Sequence, residues 1–187
     1  MWQLNEEVRT GTLSMRLLRP VHPFVTFAGT HLSAIPLRGV VALPMAAILL
    51  ATSARGALTG DPIAIAVFAG SLVGAWSLMY FWMLIVGTLS FWIEKSTAVF
   101  DLYLGVVAVL SGYLIPLELL PSWLRSIAGV LPFQYMLGFP ADVLMGRYGR
   151  AAALAQLGAQ WAYVAATVAV AVALWRAGVR RFEAYGA

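Results

Sequence analysis

Between Asp61 and Glu94 the chain carries 32 consecutive residues, Pro62 to Ile93, with no Asp, Glu, Lys or Arg among them. About 20 apolar residues in a helix span the ~30 Å hydrocarbon core of a bilayer. The run is therefore too long for one upright crossing and too short for two crossings with a turn. It is expected to form a single tilted or protruding helix, with Pro62 in its first turn. Composition extends this reading to the whole chain. Of 187 residues, 61% are hydrophobic and only 11% charged, against roughly 25% charged in an average soluble domain. So few ionisable side chains do not cover a soluble surface. The expected class is an all-α integral membrane protein, which excludes a disordered, fibrous or disulfide-stapled chain.

Charges divide the remainder into pieces of testable length. Gly39 to Ala54 is uncharged; with Ser33 to Leu37 added and Arg38 snorkelling to the headgroups, it makes a first span over about 33–54. The second span is 62–93. A third, over 96–114, starts near Ser96, carries Asp101 close to one end, and stops near Leu114, because Pro116 disfavours helical geometry at Ile115. Ala151 to Trp175 gives the fourth, 25 uncharged residues. Leu119 to Met145 is apolar too, but Pro121, Pro132 and Pro140 break it and Arg125 and Asp142 interrupt it. A short outer re-entrant or interfacial helix suits this region, 115–150, and any non-helical backbone at depth needs protein or water to cover it.

Four spans put both termini on one side. Termini in the cytosol place eight basic residues inside, among them Arg9, Arg38, Lys95 and Arg176. The four outside are Arg55, Arg125, Arg147 and Arg150. That bias favours cytosolic termini, a cytosolic segment 1–32 and a cytosolic tail 176–187. The net charge of +4 is then a topology and headgroup signal, with no motif that reads nucleic acid.

Chemistry is sparse. With no cysteine, disulfides, thiolate metal sites and cysteine nucleophiles are excluded. His22 and His31 do not share a helical face as a zinc-binding pair would, and their Pro and Phe neighbours suggest an interfacial turn. There is no G-x-S-x-G elbow and no G-x-x-x-x-G-K-[ST] loop, so the chain cannot hydrolyse ATP by that route. No catalytic residue and no metal site is expected. Ionisable groups within spans are the default functional flags; here these are Asp101 and Arg38, either seated in headgroups or serving a path or gate. Gly70 and Gly74 form G-x-x-x-G, a spacing that admits a second helix closely, with packing inside the chain favoured over dimerisation.

Several stretches in order resemble the membrane subunits of type-2 ATP-binding-cassette exporters, in a bacterial branch of six-span permeases. Glu6-Glu7-Val8-Arg9-Thr10-Gly11-Thr12-Leu13 and Leu17-Leu18-Arg19-Pro20 are similar to the cytoplasmic segment after that family's second span. Ser111-Gly112-Tyr113-Leu114-Ile115-Pro116, followed by Leu120-Pro121-Ser122-Trp123-Leu124, resembles the fifth span entering the outer re-entrant element. Leu131-Pro132-Phe133-Gln134 and the closing Arg180-Arg181-Phe182-Glu183-Ala184-Tyr185-Gly186 complete the set. Four spans against the family's six imply that the first two are missing ahead of Met1.

The resemblance implies a permease subunit in a bacterial inner membrane, working with a second permease subunit, as homo- or heterodimer, and with separate ABC ATPase subunits. ATP and magnesium would sit on the ATPase, and this chain would bind no cofactor. The coupling contact, carried over by motif, would involve Glu6, Glu7, Arg9, Gly11, Leu13 and Arg19, with Gly11 allowing a sharp turn. Pro116, Pro121, Trp123 and Leu124 would belong to the outer element, either as a lid over the path or as a headgroup anchor. The rival reading is a truncated, non-transporting membrane partner that binds a permease or an ATPase.

Overall fold

The computed structural model describes residues 2–52, 58–93 and 96–185, and every regular element among them is helical. Arg55 and Lys95, which enter the charge count above, lie outside the described residues, as do Ser53 and Ala54 at the end of the first expected span. The helices are α1 (Trp2–Arg9), α2 (Leu13–Leu17), α3 (Pro23–Thr52), α4 (Pro62–Thr88), α5 (Ser96–Leu110), α6 (Ser122–Val130), α7 (Gly138–Leu144) and α8 (Arg150–Tyr185). Short 3₁₀ turns occupy Leu89–Phe91, Leu117–Leu119 and Pro132–Met136. Three helices are long and apolar enough to cross a bilayer among the described residues: α3, α4 with its 3₁₀ extension, and α8.

The uncharged run is one helix, as its length requires. Its start is fixed by Asp61, whose side chain accepts the Ile63 N–H at 3.1 Å, with Pro62 in the first turn where a missing donor costs nothing. α8 lies alongside α4 and runs parallel to it, and this is the most extensive helix pair of the fold. At one end the Asp61 carboxylate receives the Arg150 guanidinium through two bonds, at 2.8 and 3.1 Å. At the other, Phe91 and Trp175 share a cluster, and a Cβ on Gly178 would intrude on the Phe91 ring.

The middle of the pair is set by the two small residues. Gly74 is buried, and a Cβ there would meet Gln160 Cδ at 2.7 Å, whereas one at Gly70 would touch Leu157 at an ordinary 3.7 Å. The G-x-x-x-G face therefore admits α8, an intrachain contact. Gln160 is 0% exposed; its amide nitrogen donates to the Ser71 carbonyl at 2.9 Å and to the Tyr135 carbonyl at 3.0 Å. The second acceptor belongs to the 3₁₀ turn between α6 and α7, whose Tyr135 shares a cluster with Leu78 and with Phe139 of α7.

Three boundaries differ from the sequence expectation, the first being the end of α8, which continues past Trp175 to Tyr185. α3 begins at Pro23 and not near Ser33, because the Phe24 N–H is capped by His22 Nδ1 at 3.2 Å and the first turns are packed. The Tyr80 hydroxyl donates to the Phe24 carbonyl at 2.5 Å, and Trp76 Nε1 donates to His31 Nδ1 at 3.1 Å. His31 thus sits in a helix interface and not in an interfacial turn. Beyond His31 the helix leaves the bundle: Leu37, Val40, Leu43 and Ile48 are exposed, and Pro36 and Pro44 lie inside it. α5 ends a turn before Leu114, because Gly112 takes φ +83°, the left-handed conformation that terminates helices. At 15 residues α5 is about 22 Å long.

Two stability predictions follow from this packing. Gly74→Ala destabilises the fold by about 1–3 kcal/mol, because Gln160 must move and release its two carbonyls, while Gly70→Ala is near neutral; thermal unfolding of the detergent-solubilised chain distinguishes them. The Arg150 guanidinium holds the Asp61 carboxyl below its ordinary value of 3.8. A lowered carboxylate pKa gives stability that is complete above the ordinary value and lost as pH falls through the lowered one. Asp61→Asn keeps the helix cap and removes the charge, so the margin of wild type over the variant, measured as a melting-temperature difference, is present at neutral pH and vanishes in strong acid.

Candidate functional site

α1 and α2 form a bent, two-helix segment laid against the end of the bundle where α8 finishes. Each presents an apolar pair one helical turn apart, Leu4 with Val8 and Leu13 with Leu17, which is the spacing that puts two side chains on one face. Leu4 and Leu13 are both 0% exposed and pack with Phe27, Tyr80, Leu84, Phe91 and Trp175. Gly11, at φ +73°, makes the bend between the two helices.

Arg16 fastens this segment. Its Nε donates to Glu7 Oε2 at 2.7 Å, and its Nη2 donates to the other Glu7 oxygen, a forked pair joining α2 to α1. Its remaining nitrogen donates to Thr26 Oγ1 on α3 at 3.0 Å. The guanidinium plane also stands 4.7 Å from the Phe27 ring centroid. A planar fork with five donors can serve three elements at once, which a lysine at this position cannot. Both partners are about four-fifths buried, so the pair is less screened than a surface ion pair.

The expected contact residues divide on this geometry. Glu6, Arg9, Gly11 and Arg19 are exposed on the outside of the segment. Glu7 is turned inward by Arg16, and Leu13 is wholly buried, so Leu13 holds the segment to the bundle and offers no surface. Arg16, Thr26 and Phe27 are positioning residues that the spacing of the sequence does not reveal, because Glu7 lies nine and Thr26 ten positions from Arg16.

At the opposite end, the chain from Gly112 to Arg147 is tied by charge. Arg125 Nη2 donates to the Glu118 and Leu120 carbonyls, the latter at 3.1 Å. Arg147 reaches Glu118 at 3.1 Å and Asp142 at 2.9 Å. Pro116 and Pro121 precede the 3₁₀ turn and α6 respectively, and both are exposed. Trp123 is 64% exposed, whereas Leu124 is partly buried against the cluster of Tyr103, Leu110 and Phe133. The turn itself is held by the Gly138 N–H donating to the Ser111 carbonyl at 3.2 Å and by the Tyr163 hydroxyl donating to the Val130 carbonyl at 2.7 Å.

Asp101 and Arg38 are not brought together. Asp101 is exposed on the second turn of α5, and Arg38 is exposed about midway along α3, on the stretch that leaves the bundle. Between α4, α5 and the turn before α7 lies an apolar crevice of about 430 Å³, walled by Met79, Leu104, Val107, Tyr113 and Met136. No cluster of three or more metal-ligating side chains occurs among the described residues.

The arrangement contains long apolar helices, a docked basic and acidic segment at one end and a charge-tied segment at the other. Against known proteins, residues 1–186 match the model of the family described as ABC-2 family transporter protein. No curated protein and no solved structure matches the chain. The match covers almost the whole sequence and agrees with the ordered motifs and the apolar helices: the chain belongs to the ABC-2 transporter family and is a multi-pass membrane protein with a permease role.

Proposed function

We propose that the chain is the permease subunit of an ATP-driven exporter, with both termini in the cytosol of a bacterium and the α1–α2 segment docked on a separate ABC ATPase. The observation that carries this is the α1–α2 segment itself. It is locked to α3 by Arg16, yet turns Glu6, Arg9, Gly11 and Arg19 outward, so a push on its outer face is transmitted to a transmembrane helix and not absorbed by a loose tail. ATP and magnesium would be held by the ATPase, and a second permease subunit would complete the path.

Four crossings fit the same geometry. α4 ends beside Phe91 and Trp175, α8 begins beside Asp61, and the two run parallel. Residues 89–149 must therefore climb the bundle once between them. α5 covers about 22 Å of that climb. α7 completes it, packing Phe139 and Val143 against Ala64 and Val67 near the start of α4, with the Thr59 N–H donating to the Leu144 carbonyl at 2.9 Å. On this reading α6 and the 3₁₀ turn after it form a re-entrant element whose irregular backbone is covered by α4 and α8, as hydrocarbon requires. The exposed Trp123 is the side chain of this element that meets lipid headgroups or the partner permease.

The coupling assignment predicts two different responses to charge reversal. Glu6→Lys alters only the outer face and lowers ATPase affinity about tenfold, read as loss of the ATPase from a tagged-permease pull-down, with the melting temperature unchanged. Glu7→Arg disrupts the segment and lowers both. The swap Glu7→Arg with Arg16→Glu restores the α1–α2 pair and recovers part of each, because the Thr26 and Phe27 contacts of Arg16 stay lost. An unchanged pull-down for Glu6→Lys overturns the assignment.

A further inference from the structure

At the end of the bundle where α3 starts and α8 finishes, a cavity of about 690 Å³ opens between the α2–α3 connection and the last turns of α8. One wall is apolar, made by Leu17, Pro23, Trp175 and Val179. The rim carries three guanidinium groups, Arg19 from the connection and Arg176 and Arg180 from α8. The last two are one helical turn apart and so share a face, about 6 Å from each other along the axis. No carboxylate among the described residues lines the cavity. Among the described residues none of these three arginines makes an ion pair, in contrast to Arg16, Arg147 and Arg150. His22 also lines it. Because its Nδ1 accepts the Phe24 N–H, the neutral ring carries its proton on Nε2 and adds another donor.

Three like charges around one concavity repel each other until an anion enters. Arginine forks match phosphate oxygens in shape and charge. The depth of the cavity narrows the choice of anion. The uncharged run of α8 ends at Trp175 and Arg176 follows it, so the cavity straddles the boundary between apolar span and charged end, which is the level of lipid headgroups. A free phosphate uses only the rim, whereas a phospholipid sets its phosphate among the arginines and an acyl chain along Trp175 and Val179. We infer that this cavity binds the phosphate headgroup of an anionic phospholipid. Arg19 is shared with the face proposed for the ATPase contact, so the test leaves Arg19, Glu6 and Arg9 intact and changes only the arginines of α8.

The test is native mass spectrometry of the full chain, purified in detergent and offered phosphatidylglycerol and phosphatidylcholine together. Wild type retains phosphatidylglycerol preferentially. Arg176→Gln with Arg180→Gln weakens that retention by roughly 30-fold, and the double lysine variant, which keeps the charge, preserves part of it. Arg181→Gln, adjacent in sequence and outside the cavity lining, leaves retention unchanged. The inference is overturned if the double glutamine variant retains phosphatidylglycerol as wild type does, or if Arg181→Gln loses as much. Displacement of the lipid by excess inorganic phosphate assigns the cavity to a free anion and overturns the lipid reading. Loss of a co-purifying ATPase with lipid retention intact assigns the arginines to a protein partner and overturns it as well.

Discussion

The region between α5 and α8 depends on one amide group. Within a bilayer no water is at hand to serve a backbone carbonyl that has left its helix, and each unserved group costs several kcal/mol. The 3₁₀ turn at Pro132–Met136 creates such carbonyls beside the middle of α4. Gln160 is the group that answers this: from α8 its side-chain nitrogen bonds the Tyr135 carbonyl and, at the same time, the Ser71 carbonyl of α4. It reaches them only because Gly74 leaves the space of a side chain empty. Its own oxygen is buried without a hydrogen-bond partner among the described residues, a cost accepted where the amide is needed as a donor. The parallel pairing of α4 and α8, the G-x-x-x-G spacing and the path of the irregular segment are thus one arrangement viewed from three sides.

Arg16 has the corresponding position at the other end. It joins three helices that the apolar clusters alone would leave free to slide, because Leu4, Leu13 and Phe27 supply area without direction. The forked bond to Glu7 sets the angle between α1 and α2, and the bond to Thr26 sets both relative to α3. Burial holds the segment and the guanidinium orients it.

Much of the architecture could be read from charge placement alone. Asp61 and the run that follows it define α4 closely, and the uncharged stretch from Ala151 marks α8. The start of α3 is less legible: Thr26, Thr30 and His31 lower the hydropathy of its first turns, and of these Thr26 serves Arg16 and His31 packs against Trp76 and Tyr80. Pro116 was a sound reason to end α5, but Gly112 acts first, and a left-handed glycine leaves no periodic trace. At the candidate site, the motif carried over from the family names Glu6, Arg9 and Arg19, which are exposed, without distinguishing them from Glu7 and Leu13. The inward turn of Glu7 and the burial of Leu13 do not follow from it. Arg16 with Thr26 and Asp61 with Arg150 meet across folded distance, the latter pair 89 positions apart, and no local rule of spacing joins them.

α3 packs into the bundle through its first turns. Among the described residues its side-chain bonds to the bundle run from Phe24 to His31, and beyond His31 Leu37, Val40, Leu43 and Ile48 are exposed. Pro36 and Pro44 each remove a backbone hydrogen bond from that length. A tilt of about 10° at the packed end displaces Ile48 by about 4 Å. On the proposed coupling, a movement of the α1–α2 segment passed through Arg16 and Thr26 would grow along this helix across the thickness of the membrane, as at the long arm of a lever.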